Sequence, residues 1–237
     1  MSGRVWLVGA GPGDSGLITV RGLEALRSCD AVVYDRLVAS ELVDEAPADA
    51  LRVDRGPLAQ EEINSLLVRL ARRGLDVVRL KGGDPFLFGR GGEEALALVE
   101  AGVPFDVVPG VTSLAAVPAA AGIPVTHRGV SSQVTIVNGH GQLDLAALAA
   151  TPGTLVAFMG LARLEELAAG LIEHSRPAST PAAVISGGTL PEQRVVVAPL
   201  DRIGEAAAAL DPPALVVIGD VVALAPLLSG LAEQVAA

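Results

Sequence analysis

A chain of 237 residues that is 51% hydrophobic and 19% charged has enough apolar material for one large or two small cores, and this composition excludes an intrinsically disordered protein. The net charge of −10 falls as 12 basic against 17 acidic residues through Gly110 and 5 against 10 beyond it, so no basic tail or face is available to attract nucleic acid. Only 3% of residues are aromatic, so burial rests on Val, Leu, Ile and Ala, which suits parallel strands covered by helices. In chain order, apolar runs at residues 5–9, 31–34, 51–53, 77–80 and 105–108 read as short strands, with helical periods at 17–27, 41–45, 61–73 and 93–101 between them. This alternation predicts a right-handed, mostly parallel sheet with flanking helices. A small-residue helix at 113–121 follows Pro109-Gly110, and Gly122-Ile123-Pro124 reads as a hinge. Beyond it, residues 134–138, 155–158, 182–185, 194–198 and 215–218 read as strands, and Gly187-Gly188-Thr189-Leu190-Pro191 as a hairpin turn, which makes the second sheet mixed. The predicted architecture is α/β with two domains, 1–112 and 113–237, and a cleft between two such domains is the default ligand site.

The single cysteine, Cys29, can form neither an internal disulfide nor a Cys-rich metal site and reads as a small buried apolar residue. His140 and His174 lack the spacing of a metal site, so no metal is expected. The beginning of the chain lacks the charged and apolar layout of a signal peptide, and the most apolar stretch, 214–228, is interrupted by Asp220 and too short for a clean membrane span. A soluble cytoplasmic protein without a membrane partner is the expectation.

The most informative segment is Arg79-Leu80-Lys81-Gly82-Gly83-Asp84-Pro85-Phe86-Leu87-Phe88-Gly89-Arg90-Gly91-Gly92-Glu93-Glu94, because no packing requirement asks for so many glycines beside charges and aromatics. It follows a parallel strand, where open α/β sheets bind ligands, and its glycines let backbone approach a ligand without a Cβ in the way. Gly9-Ala10-Gly11-Pro12-Gly13-Asp14 also follows a strand, but Asp14 stands where the dinucleotide fingerprint needs glycine and would repel a pyrophosphate at a helix start. The pair of loops therefore suits a ligand without phosphates. Asp35, at the end of the second strand, reads either as a helix cap or as a proton acceptor. Pro109-Gly110-Val111-Thr112-Ser113, Thr126-His127-Arg128 and Phe158-Met159-Gly160 supply hydroxyls, a guanidinium and a thioether at further strand or turn ends.

Taken together, these segments, with Val33-Tyr34-Asp35-Arg36-Leu37-Val38, Gln60-Glu61-Glu62-Ile63-Asn64 and Thr154-Leu155-Val156-Ala157-Phe158-Met159-Gly160, resemble the uroporphyrinogen-III C-methyltransferases of the tetrapyrrole methylase family over nearly the whole chain. The resemblance implies the two-domain tetrapyrrole methylase fold and a homodimer holding S-adenosylmethionine in the interdomain cleft, with S-adenosylhomocysteine as product. It implies methylation of two pyrrole carbons of uroporphyrinogen III, giving precorrin-1 and then precorrin-2. A sister enzyme acting on a later corrin intermediate is the alternative. By motif, cofactor contacts fall on Pro12, Gly82, Gly83, Asp84, Leu87, Thr112, Ser113, Met159 and Gly188, with Ala214 a weaker candidate. Substrate contacts fall on Arg90, Glu93 and Arg128, and the catalytic roles on Arg90 and on Asp35 as proton acceptor. The chain departs from the family at Val53-Asp54-Arg55-Gly56-Pro57-Leu58-Ala59, which is shorter and carries Arg55 where the family has a proton-donating lysine; arginine keeps the charge but does not release a proton.

Overall fold

The structure, a computed structural model, describes residues 3–56 and 58–228; Met1, Ser2, Pro57 and residues 229–237 lie outside the described residues, so the middle of the departing 54–59 loop is outside them as well. The chain forms two compact units, Met1–Thr112 and Ser113–Ala237. The described parts of each are treated separately below.

In the first unit, β1 (Val5–Gly9) leads through α1 (Val20–Arg27) to β2 (Ala31–Tyr34), and α2 (Ser40–Asp44) leads to β3 (Leu51–Asp54). Then α3 (Gln60–Arg72), β4 (Val77–Lys81), α4 (Gly91–Glu100) and β5 (Phe105–Val108) follow. The five strands pair in the order β3-β2-β4-β1-β5 and every pairing is parallel, so the expected mostly parallel sheet is wholly parallel. Alternation along the strands divides the core between the two faces. Val5, Leu7, Val33 and Val77 pack with Ile63, Leu67 and Leu70 of α3 and Leu98 of α4 on one side. Val8, Val32, Val78 and Leu80 pack with Leu26 of α1 and Leu42 and Val43 of α2 on the other.

The largest boundary difference from the sequence expectation, at the start of α1, has a capping cause. The helix predicted from residue 17 begins only at Val20, because Thr19 accepts a hydrogen bond from the Gly22 amide and caps it there. Asp14 instead accepts from the Gly16 amide at 2.8 Å and caps a single 3-10 turn, Ser15–Leu17. The fourth strand also runs one residue further than predicted, through Lys81.

In the second unit, α5 (Ser113–Ala120) precedes β6 (Val134–Asn138), α6 (Leu145–Ala150), β7 (Thr154–Phe158) and α7 (Leu164–Glu173). The remaining elements are β8 (Pro181–Ser186), β9 (Arg194–Pro199), α8 (Ile203–Ala206) and β10 (Ala214–Ile218). The sheet order is β6-β7-β10-β8-β9; only β6 and β7 are parallel, and β8–β9 is the predicted hairpin. One face of this sheet carries Val156, Ile185 and Val217 against Val117 and Ala121 from the α5 segment, and the other carries Leu155, Val184 and Val216 against Leu164, Leu167 and Leu171 of α7. No helix among the described residues is long and apolar enough to cross a membrane.

Candidate functional site

Every parallel strand of the first unit ends on the same edge of its sheet, and three of the glycine loops lock together there. The Ala10 amide donates to the Lys81 carbonyl at 2.7 Å, while Gly11 and Gly83 exchange hydrogen bonds in both directions as an isolated bridge. A Cβ placed on Gly110 would lie 2.2 Å from the Gly83 carbonyl oxygen, and one on Gly9 would lie 2.4 Å from the Gly110 Cα. These glycines are explained by backbone meeting backbone. Gly82 is different: a Cβ there would meet nothing nearer than Leu37 Cβ at 3.8 Å. Its missing side chain leaves open space beside the loop, which a ligand's close approach would use.

Asp84 braces this loop. One carboxylate oxygen accepts from the Phe86 amide at 2.9 Å and the other from the Gly110 amide at 3.0 Å, tying the fourth strand's loop to the fifth strand's end. Beyond it, Phe88 and Arg90 occupy the left-handed region with φ of 54° and 58°, a conformation that side chains other than glycine's rarely hold unless the surroundings impose it. Phe86, Phe88 and Leu37 are exposed, Leu87 is half-buried, and Pro12 is half-buried in the first loop. Arg90 and Glu93 form a two-point ion pair, Nε to Oε1 at 2.8 Å and an outer guanidinium nitrogen to Oε2 at 2.7 Å. The hydrogen bond from Arg90 holds the Glu93 carboxyl below its ordinary value and raises the guanidinium's. Both side chains are about half exposed, so each is within reach of a solute.

Asp35 follows β2 on the same edge, its amide bonded to the Leu80 carbonyl. Its Oδ1 accepts from the buried Arg79 guanidinium at 2.5 Å, with Arg55 Nε at 3.9 Å; no described residue donates to Oδ2. Sequence reasoning assigns no role to Arg79, Glu94 or Gln60. The structure joins them in a buried charged cluster behind Asp35. Arg79 and Lys81 share the face of β4 on which Val77 packs, and there Glu94 of α4, with no exposed surface, answers both. Glu94 Oε1 accepts from Arg79 Nε at 2.9 Å, Lys81 Nζ at 3.0 Å and Gln60 Nε2 at 3.3 Å, whereas Oε2 is buried without a partner. Burial, and then the neighbouring Arg79, lower the Lys81 pKa, an effect that Glu94 opposes. The sequence carries half of this signal: two cations at alternate positions of an apolar run demand a counter-charge if the strand is interior, and the pairing of β4 between β2 and β1 makes it so.

In the second unit, Met159 directly follows β7, is exposed, and has φ of 55°. Ser113 begins α5, one residue after Thr112, the last residue of the first unit. Gly188 is buried in the β8–β9 turn, where a Cβ would collide with Val117 at 2.4 Å, so packing alone accounts for that glycine. Arg128 is exposed in a turn closed by reciprocal backbone hydrogen bonds between His127 and Ser131. Ala214, expected just before the last strand, is its first residue. Among the described residues no group of three or more His, Cys, Asp and Glu side chains could hold a metal ion.

The fit to a donor without phosphates is chemical: the first loop carries the carboxylate of Asp14 and no cation, while Gly82 leaves backbone open to approach. These features define a two-unit α/β protein whose glycine-rich loops meet on the carboxyl edge of a parallel sheet. Residues 4–204 match the family described as Tetrapyrrole (Corrin/Porphyrin) Methylases, and the chain belongs to that family. It is 47% identical over 232 residues to siroheme synthase of Escherichia coli (strain K12 / DH10B), which covers 94% of this chain and 51% of that protein. The chain thus spans about half the length of the curated relatives it matches. The uroporphyrin-III C-methyl transferase of Thermus thermophilus, solved in complex with S-adenyl homocysteine, superposes with a TM-score of 0.84 at 43% identity, covering 94% of this chain and all of that one. A cobalt precorrin-4 methyltransferase gives a TM-score of 0.86 at 28% identity, covering 92% of this chain and 95% of its own.

Proposed function

We propose that this chain is an S-adenosylmethionine-dependent uroporphyrinogen-III C-methyltransferase. It methylates two pyrrole carbons, C2 and C7, to give precorrin-1 and then precorrin-2 on the way to siroheme or cobalamin. The observation that carries the reading is 43% identity to the Thermus thermophilus transferase across the whole of that chain. A second reading, a methyltransferase for a later corrin intermediate, is favoured only by the TM-score of 0.86 to the cobalt precorrin-4 enzyme, at a lower identity of 28%.

The donor, when bound, supplies an electrophilic methyl group on a sulfonium. Pro12, Gly82, Gly83, Asp84, Leu87, Thr112 and Ser113 of the first unit, with Met159 and Gly188 of the second, are the residues we assign to holding it. Asp84 acts in this reading as a brace that fixes the loop's backbone donors and acceptors as well as a charge beside the ligand. Attack by the electron-rich pyrrole carbon forms the new carbon–carbon bond and breaks the carbon–sulfur bond, so alignment and exclusion of water supply much of the rate. The methylated ring carries positive charge until a proton leaves, and we assign that proton to the Oδ2 of Asp35.

The acetate and propionate groups of the tetrapyrrole call for guanidinium forks, which Arg90 and Arg128 offer. Glu93 holds the Arg90 fork in shape until a substrate carboxylate replaces it. Exposed Leu37, Phe86 and Phe88 provide apolar surface for the macrocycle beside that fork. We place the enzyme in the cytoplasm as a homodimer. The test is purified protein incubated anaerobically with uroporphyrinogen III and methyl-labelled S-adenosylmethionine. Two labelled methyl groups per tetrapyrrole and a precorrin-2 product are expected; no incorporation would overturn the activity, and incorporation only into a later corrin intermediate would favour the second reading.

A further inference from the structure

The charged cluster behind Asp35 is difficult to explain as a stability device. Strand β4 lies inside the sheet between β2 and β1, where Val or Ile at positions 79 and 81 would bury without any desolvation penalty. Replacing a buried ion cluster with apolar residues is often neutral or stabilising. The arrangement instead has a direction. Every side of the Arg79 guanidinium has a partner: Nε meets Glu94, one outer nitrogen meets the carbonyls of Val33 and Leu80 at 3.3 and 3.2 Å, and the other meets Asp35. The fork is thereby aimed at the carboxylate on the sheet's functional edge.

We propose that Glu94 is a positioning residue for the proton acceptor Asp35, acting through Arg79; this rests on the reading of Asp35 given above. Glu94 has three donors on one oxygen and is the counter-charge to both Arg79 and Lys81. The charged groups around Asp35 are Arg79 and Lys81 from β4, Glu94 from α4 and Arg55 from the segment after β3, with neutral Gln60 from α3 completing the Glu94 contacts. Without the Glu94 charge, Asp35 is the remaining carboxylate in this group. Arg79 and Lys81 would then both draw on it, and its orientation toward the substrate would no longer be fixed by a locked fork.

Glu94→Gln isolates this effect. The amide oxygen can take the three donors that now converge on Oε1, and the amide nitrogen would stand where Oε2 has no partner, so shape and bond count are kept while the charge is lost. In the full chain we expect kcat for precorrin-2 formation to fall roughly 10- to 100-fold, the range for a misplaced catalytic group. The tetrapyrrole KM and the S-adenosylhomocysteine Kd should stay within roughly threefold of the parent, because neither ligand touches Glu94 in this account. In an Asp35→Asn background the same substitution should change kcat by less than about twofold, since its route to the chemistry is already cut. An unchanged kcat for Glu94→Gln, or an equal loss in both backgrounds, would overturn the proposal. Asp35→Asn turning over at the parent rate would instead overturn the acceptor reading on which it rests. Should Glu94→Gln fail to fold, Arg79→Lys, which keeps the charge but loses the fork, goes through the same cycle and is judged by the same two outcomes.

Discussion

Replacing Asp84 by Ala removes two hydrogen bonds at once, from the amides of Phe86 and Gly110. Hydrogen bonds to a charged acceptor are each worth about 1.5–3 kcal/mol, and the half-buried position of Asp84 puts both near the lower end, giving a combined loss of about 3 kcal/mol. That loss divides between two measurable quantities. If the loop keeps its conformation in the unliganded variant, the whole amount appears as reduced stability; if the loop loosens, part of it appears as weaker cofactor binding, because ligand must then re-order the loop. The sum of the stability loss from urea unfolding and the binding loss from calorimetry with S-adenosylhomocysteine should therefore reach about 3 kcal/mol, and exceed it if Asp84 also touches the ligand. Asp84→Asn, which keeps one acceptor oxygen, should lose about half as much. Changes below about 0.5 kcal/mol in both measurements would refute the bracing role and remove this carboxylate from the site.

The two kinds of loop glycine should respond oppositely to alanine. Gly82→Ala should fold with an unfolding midpoint close to the parent's and bind S-adenosylhomocysteine at least tenfold more weakly, whereas Gly110→Ala should lose stability, because its Cβ would lie 2.2 Å from a backbone oxygen. Normal binding by Gly82→Ala would mean that the open space beside it is not used. Arg90→Ala should raise the tetrapyrrole KM by roughly tenfold or more with S-adenosylhomocysteine affinity unchanged; a change in cofactor affinity alone would move this arginine to the other ligand. Arg55→Lys should change kcat by about threefold or less, because Arg55 stands at 3.9 Å from Asp35 while Arg79 makes the close contact. A tenfold gain would show that a releasable proton on that side limits turnover. Burial raises the Cys29 thiol to about 11. It should resist thiol reagents at pH 8 until the protein unfolds, and its stabilising contribution should be full below pH 9.0 and disappear as pH rises through about 11. Rapid labelling of the native protein would contradict that burial.

Much of the fold was legible because short apolar runs, glycine turns and helical periods are local properties. Residues 134–138 read as a strand with the bounds observed for β6, and Gly187-Gly188 as the turn between β8 and β9. The loops at strand ends could be named for the same reason, since a parallel strand followed by glycines and charges marks the binding edge of its sheet. The tasks of individual residues within those loops were less visible. Gly82 and Gly110 look alike in sequence, yet one faces open space and the other meets the Gly83 carbonyl, a difference that depends on how the first, fourth and fifth strand ends come together.

The buried cluster shows where local reading stops. Arg79 and Lys81 sit at the junction of strand and loop, and only the pairing of β4 with β1 and β2 makes that position interior. Glu94 lies 13 residues from Lys81 and 15 from Arg79, and helix α4 must pack on the same face of the sheet before its carboxylate can answer both cations. The sequence by itself determined the α/β class and the strand-end loops with their glycines, carboxylates and guanidinium groups. Tertiary structure decided that Asp84 spends its carboxylate on two backbone amides and that Arg79 aims at Asp35. Both follow from register and helix packing, which bring together groups that no local spacing in the chain relates.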